Sequence, residues 1–149
     1  MSLAALASVA LLGSAVSPAH AQLGPNFFYG AATAAYQIEG SWDVDRKQPS
    51  EWDLFSHLPG KVANGDNGDV ADRGYEFALD DVALLSSLGV NSYRFSLSWG
   101  RIIDADGNVN PRGVKHYSDL IDALLAAQIT PFVTMYHWSA TREATMREH

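Results

Sequence analysis

Four side chains combine useful chemistry with informative positions: Gln37, Arg94, His137 and Trp138. Arg94 is the sharpest signal. It stands between Ser92 and Ser96 in a run that alternates polar and apolar residues, so it belongs inside a strand. A cation there needs an anionic partner, because burying it unpaired is costly. Gln37 and the His137-Trp138 pair each close an apolar run. A carboxamide or imidazole at such an end is either satisfied within the fold or turned toward a ligand. Glu39 and Asp53 are the nearby carboxylates that offer themselves as acid and nucleophile. Asp66, Asp69 and Asp72 resemble a loose calcium loop but lack the terminal bidentate glutamate, so a solvated turn is expected. With no cysteine and no zinc spacing among the five histidines, no metal site or cofactor is expected, and His57 and His116 are read as surface residues.

The elements that carry these residues follow from two hydrophobic periods. Residues 27–37 read as a first strand. After the turn-rich segment around SEWDLF and PGKVANGDNGD, a helix is marked by Tyr75, Leu79, Val82, Leu85 and Leu88 at three- and four-residue steps, and Gly89 caps it. From Asn91 to Ser98 the period drops to two: Tyr93, Phe95 and Leu97 share one face, while Ser92, Arg94, Ser96 and Ser98 share the other. Asn110 and Pro111 open a second helix with Val114, Tyr117, Ile121 and Leu124 as its stripe, and residues 130–137 form a third strand. Strand, helix, strand, helix, strand implies a parallel sheet. The polar face of the second strand suits a barrel interior better than an open, doubly covered sheet such as a flavodoxin-like domain. In a (β/α)8 barrel the chemistry sits at the C-terminal strand ends, which here present Gln37, residues 94–99 and His137-Trp138.

Composition narrows the ligand. The chain has 149 residues, is 47% hydrophobic and carries a formal net charge of -7. That charge disfavours nucleic acid and anionic membrane surfaces and leaves a neutral, polyhydroxylated small molecule unaffected. The first residues carry an apolar run from Leu3 to about Val16, then Ser17-Pro18 and Ala19-His20-Ala21. They read as a signal peptide over 1–21, cleaved near Ala21 before Gln22, with secretion as the expected localisation.

Four collinear blocks resemble glycoside hydrolase family 1, the β-glucosidase-like family: NFFYGAATAAYQIEG, SEWDLFSHLPGKVANGDNGDVA, GVNSYRFSLSWGRI and GNVNPRGVKHYSDLIDALLAAQITPFVTMYHW. The resemblance implies an incomplete (β/α)8 TIM barrel, about the first three strands and two helices, over residues 22–138. It implies a retaining β-glycosidase acting on β-glucosides or related β-glycosides and oligosaccharides. Gln37 and His137 then hydrogen-bond hydroxyls of the non-reducing-end sugar, each offering a donor and an acceptor. Trp138 walls that sugar, and Arg94 supports the nucleophilic glutamate by charge-assisted hydrogen bonding.

Departures matter too. Tyr75-Glu76 replaces the family's usual Tyr-His, and the tail from Ser139 to His149 replaces its usual Asp-apolar-Pro continuation, so 139–149 reads as a divergent tail. A retaining mechanism needs two carboxyl groups about 5 to 5.5 Å apart. The family supplies them from Asn-Glu-Pro and Glu-Asn-Gly motifs, and neither string occurs here. The five glutamates are Glu39, Glu51, Glu76, Glu143 and Glu148, none in either context, and the resemblance gives neither role to Glu39 or Asp53. The expectation is therefore a glycosidase N-terminal part that is inactive as it stands. The alternative is a non-catalytic truncated product or degenerate sugar-binding fragment.

Overall fold

The computed structural model describes Gly24 and residues 26–139. The expected leader over 1–21 and the tail beyond Ser139 lie outside the described residues. Three strands, β1 (Gly30–Ala32), β2 (Ser92–Ser96) and β3 (Thr130–Thr134), form one parallel sheet in that spatial order. Ala32 stands opposite Arg94, and Arg94 opposite Phe132. Parallel neighbours need long crossovers. Here α3 (Gly74–Ser87) precedes β2 and α5 (Pro111–Ala126) precedes β3. Three short helices share these two crossovers: α1 (Ala35–Ile38) and α2 (Glu51–Ser56) lie ahead of α3, and α4 (Trp99–Ile102) ahead of α5.

The expected strand over 27–37 is cut to three residues. Past Ala32 the Ala35 N–H donates to Ser96 Oγ at 2.8 Å, and the chain turns into α1. Gln37 thus sits on a helical turn beyond the strand, not at its end. The third strand likewise stops at Thr134, leaving His137 and Trp138 in the following loop. SEWDLF, read as part of a loop, is helical because Ser50 and Asp53 form a reciprocal capping box: each side chain satisfies the other's backbone N–H.

The apolar face of β2 behaves as the alternation requires. Tyr93 and Phe95 join Val82, Leu85, Tyr117, Leu120, Leu124 and Ile129 in one buried cluster between sheet and helices. The helical stripes need correction. On α3 only Val82 and Leu85 are buried among the expected apolar positions, while Leu79 is 58% exposed. On α5, Leu120 takes the buried place expected of Val114, which is exposed. Gly113 is buried too: a Cβ there would fall 2.0 Å from the Arg101 carbonyl oxygen, so glycine lets α5 approach α4.

Leu124 is 0% exposed at the centre of the cluster. Replacing it with alanine is expected to cost about 2–5 kcal/mol by lost transfer energy and a residual cavity. Denaturant unfolding of the two chains compares them directly. A loss below about 1 kcal/mol, the level of a volume-conserving swap, would show that the cluster is not the stabilising core.

Candidate functional site

Three of the four singled-out residues meet. An open cleft of about 300 Å³ is lined by Gln37 and Ala34 with Tyr36 from the β1–α1 side, Trp52 of α2, and His137 and Trp138 beyond β3. A neighbouring cleft, also about 300 Å³, shares Trp52 and Trp138 and adds Glu51 and Phe55. The aromatic wall is continuous: Tyr36 stacks on Trp52 at 6.0 Å between centroids, and Trp52 meets Phe55 edge-on at 5.9 Å. Trp138 is 66% exposed and has a left-handed backbone, φ 58°. Such a conformation in a bulky residue persists only where its surroundings hold it. The next residue supplies part of that hold: Ser139 is buried and its Oγ donates to the Leu97 carbonyl at 3.2 Å. Upstream, Trp99 Nε1 donates to the Met135 carbonyl at 2.7 Å, tying the β3 loop to the element after β2.

Arg94 stands apart from this lining. It is half-buried in β2, and its guanidinium donates to the Thr33 carbonyl at 3.0 Å. Among the described residues its hydrogen-bond partner is this carbonyl and not the carboxylate its strand position called for. Partial exposure removes the need for a counter-ion.

Glu39 and Asp53, the carboxylates that invite a catalytic reading, are both buried structural groups. Asp53 Oδ2 accepts from Lys47 Nζ at 2.6 Å and from the Ser50 N–H at 2.7 Å. Glu39 accepts from Arg101 Nε at 2.6 Å and from the Tyr117 hydroxyl at 2.6 Å. Arg101, only 1% exposed, also donates to the carbonyls of Gly40 at 2.7 Å and Ser41 at 3.3 Å, and its guanidinium lies 3.8 Å from the Tyr75 ring centroid. The Tyr75 hydroxyl then donates to Asp45 at 2.8 Å, and Arg112 donates to the same carboxylate at 2.7 Å.

The proton states of this network follow from burial. Burial, with the bond to Asp45 adding to it, pushes the Tyr75 phenol up to about 12. Burial and the Glu39 charge hold Tyr117 well above its usual value, so both phenols keep their protons and donate. The Tyr75 bond in turn holds Asp45 below the usual carboxylate range. His116, expected on the surface, is half-buried between Tyr75 and Tyr117, with centroids 4.3 Å and 4.8 Å away. His57 pairs with Asp69 at 2.8 Å, which absorbs one member of the acidic run. Among the described residues no group of three or more His, Cys, Asp or Glu could hold a metal ion, and no helix is long and apolar enough to cross a membrane.

Tyr36 and Trp52 are the lining residues that reading the sequence for chemistry passed over. The Tyr36 ring lines the cleft while its hydroxyl donates to Ser56 Oγ at 2.9 Å and accepts the Gly68 N–H at 3.1 Å. Nothing in their spacing announces the cleft, which exists only once α1, α2 and the β3 loop meet.

Three parallel strands in chain order, with crossover helices and a lined cleft beyond their C-terminal ends, are the first part of a (β/α)8 barrel. Residues 19–145 match the model of glycosyl hydrolase family 1, and the chain belongs to that family. It is 55% identical over 120 residues to Beta-glucosidase 1B of Phanerodontia chrysosporium, covering 78% of this chain and 22% of that protein. Against Thermostable beta-glucosidase B of Thermobispora bispora it is 53% identical over 113 residues, covering 75% and 24%. The chain therefore spans about a quarter of the length of these relatives. Among solved structures it is similar to the beta-glucosidase from Trichoderma harzianum, with TM-score 0.77 and 50% identity over 81% of this chain and 26% of that one. The beta-glucosidase from Thermotoga maritima in complex with cyclophellitol gives TM-score 0.81 and 46% identity, covering 85% and 29%.

Burial holds the His116 imidazole below its usual 6.5, so the folded chain keeps it neutral while the unfolded chain protonates first as pH falls. The stability this neutral histidine permits is present above pH 6.5 and is lost as pH drops from there toward its folded value. Denaturation midpoints measured from pH 7.5 down to 5 should fall for the parent chain and fall less for His116→Gln. Parallel curves would remove His116 as the cause.

Proposed function

We propose that these residues build the glycone-binding side of a retaining β-glycosidase acting on β-glucosides or related β-glycosides, and that the 149-residue chain alone does not turn substrate over. The observation that carries the reading is the convergence of Gln37, His137 and Trp138 on one cleft with Tyr36 and Trp52. A pyranose offers equatorial hydroxyls to a carboxamide and an imidazole, which can each donate and accept, and an apolar C–H face to an indole. Membership of a family whose matched relatives are named beta-glucosidases supports the substrate class. Arg94 belongs to the same reading as the group that keeps a neighbouring glutamate ionised, and its half-exposed guanidinium leaves donors for that purpose.

Absence of turnover follows from chemistry. Double displacement needs an acid and a nucleophile about 5 to 5.5 Å apart. Within these 149 residues there is no Asn-Glu-Pro or Glu-Asn-Gly string. Glu39 and Asp53 are engaged in buried hydrogen bonds and ion pairs. The second reading, a sugar-binding piece with no catalytic role, is favoured by the same engagement. Residues 1–21 are proposed to direct secretion, with cleavage before Gln22; N-terminal sequencing of the exported chain would test that.

Incubating the purified chain with a chromogenic β-glucoside should release no chromophore above buffer. Release at about 1 s⁻¹ or faster, within the ordinary enzyme range, would overturn the missing-carboxylate argument.

A further inference from the structure

We propose that Glu39 is a positioning residue for Gln37: gripped by Arg101 and Tyr117, its carboxylate fixes the single turn of α1 and so sets the aim of the Gln37 carboxamide. The proposal rests on the sugar-site reading for what Gln37 contacts, and on the network geometry for how α1 is held.

A four-residue helix cannot hold itself, since nucleation fixes several dihedrals for one hydrogen bond. No side chain caps α1, and its internal bonds are Gln37 N–H to the Ala34 carbonyl at 3.0 Å, Ile38 N–H to the same oxygen at 3.3 Å and Glu39 N–H to the Ala35 carbonyl at 2.9 Å. The front of the turn is pinned by Ala35 N–H on Ser96 Oγ. The back is pinned through Glu39. One oxygen accepts from Arg101 of α4 and the other from Tyr117 of α5, so the elements flanking β2 and β3 both reach this one carboxylate. Arg101 then runs on to the Gly40 and Ser41 carbonyls, and the Glu39 carbonyl accepts the Tyr75 N–H at 3.0 Å. Gly40, at φ 60°, completes the turn where a Cβ would fall 2.0 Å from the Val70 carbonyl oxygen.

Residues two apart on a helical turn face away from each other. Glu39 is buried while Gln37 is exposed to the cleft. Any slack in the Glu39 anchor therefore rotates the opposite side of the turn. Directional bonds from two separate elements fix orientation in a way that apolar contact at this position would not, which suits a residue whose neighbour must point at a hydroxyl.

The test is amide hydrogen exchange on the parent chain, Glu39→Gln and Tyr117→Phe. At Gln37, Ile38 and Glu39, exchange in Glu39→Gln should be at least about tenfold faster, corresponding to a change in local opening of the size seen for residues sharing one network. Leu124 and Ile129 should stay within about twofold, and Tyr117→Phe, which removes one of the two grips, should fall between parent and Glu39→Gln at α1. Unchanged protection at α1, or equal acceleration at every amide, overturns the proposal. If Glu39→Gln does not fold, Tyr117→Phe decides by the same comparison of α1 with the core. A second arm titrates methyl β-glucoside: Glu39→Gln should weaken binding about tenfold with Gln37 present and leave it unchanged in a Gln37→Ala background. Equal weakening in both backgrounds counts against positioning. A parent chain that binds no glucoside removes the sugar-site reading alone, and exchange still decides the role of Glu39.

Discussion

A carboxylate and a guanidinium buried together, Glu39 and Arg101, are the constraint on which the arrangement of the sheet's loops depends. Neither charge could be left alone there, because an unpaired buried ion costs more than most single contacts return. Satisfying both required the chain to bring donors and acceptors from every neighbouring connection: Tyr117 from α5, the carbonyls of Gly40 and Ser41, and the Tyr75 ring beneath the guanidinium. Asn110 joins the same group. It caps α5 while its side-chain amide donates to the Arg101 and Asp45 carbonyls, so the start of α5 and the end of α4 share one fastening. The apolar cluster supplies the driving force for packing, and this polar network decides how the pieces lie relative to one another.

The division of labour runs through the sheet itself. The apolar face of β2 is occupied by Tyr93 and Phe95, which hold the helices; its polar face keeps small serines and Arg94, which engage β1 and its turn. Ser96 is instructive. Its hydroxyl serves the first N–H of α1, so a residue chosen for size on a crowded strand also starts the element that carries Gln37. Gln37 comes from the helical turn after β1, and His137 and Trp138 from the loop after β3; Ser96 pins the turn, while Trp99 holds that loop at Met135 and the loop's own Ser139 fastens it to Leu97. The cleft is a property of those ties more than of any strand.

What could be read from residue order alone divides along a physical line. The period-two run over 91–98 and the Asn110-Pro111 helix start are local signals: the first yields β2 with its ends one and two residues off, the second the cap and first residue of α5. Residues 27–37 are apolar without a decisive period, and the step from strand to α1 depends on Ser96, 61 residues away. The capping box of α2 uses Asp53 where glutamate or glutamine is usual, which hid a helix. Leu79 and Leu88 keep the helical period of α3 without burial, because periodicity reports the helix and not the extent of its neighbours. Gln37, His137 and Trp138 were legible through the motifs around them, whereas Tyr36 and Trp52 enter the lining only through tertiary contact. The half-buried strand arginine is the reverse case: its place in a strand implies an anionic partner, and among the described residues the Arg94 guanidinium meets a carbonyl instead.

The cluster that holds these elements draws all of its buried members from residues 82 to 129. During synthesis, that core is complete in covalent terms once Ile129 has left the ribosome, while the loop bearing His137 and Trp138 is still emerging. Strands that pair in chain order and pack with the helices beside them let the apolar cluster assemble in step with elongation, whereas Glu39 waits for Arg101 and Tyr117, 62 and 78 residues further on. The anchored loops are then laid onto a finished support, in the direction in which the message is read.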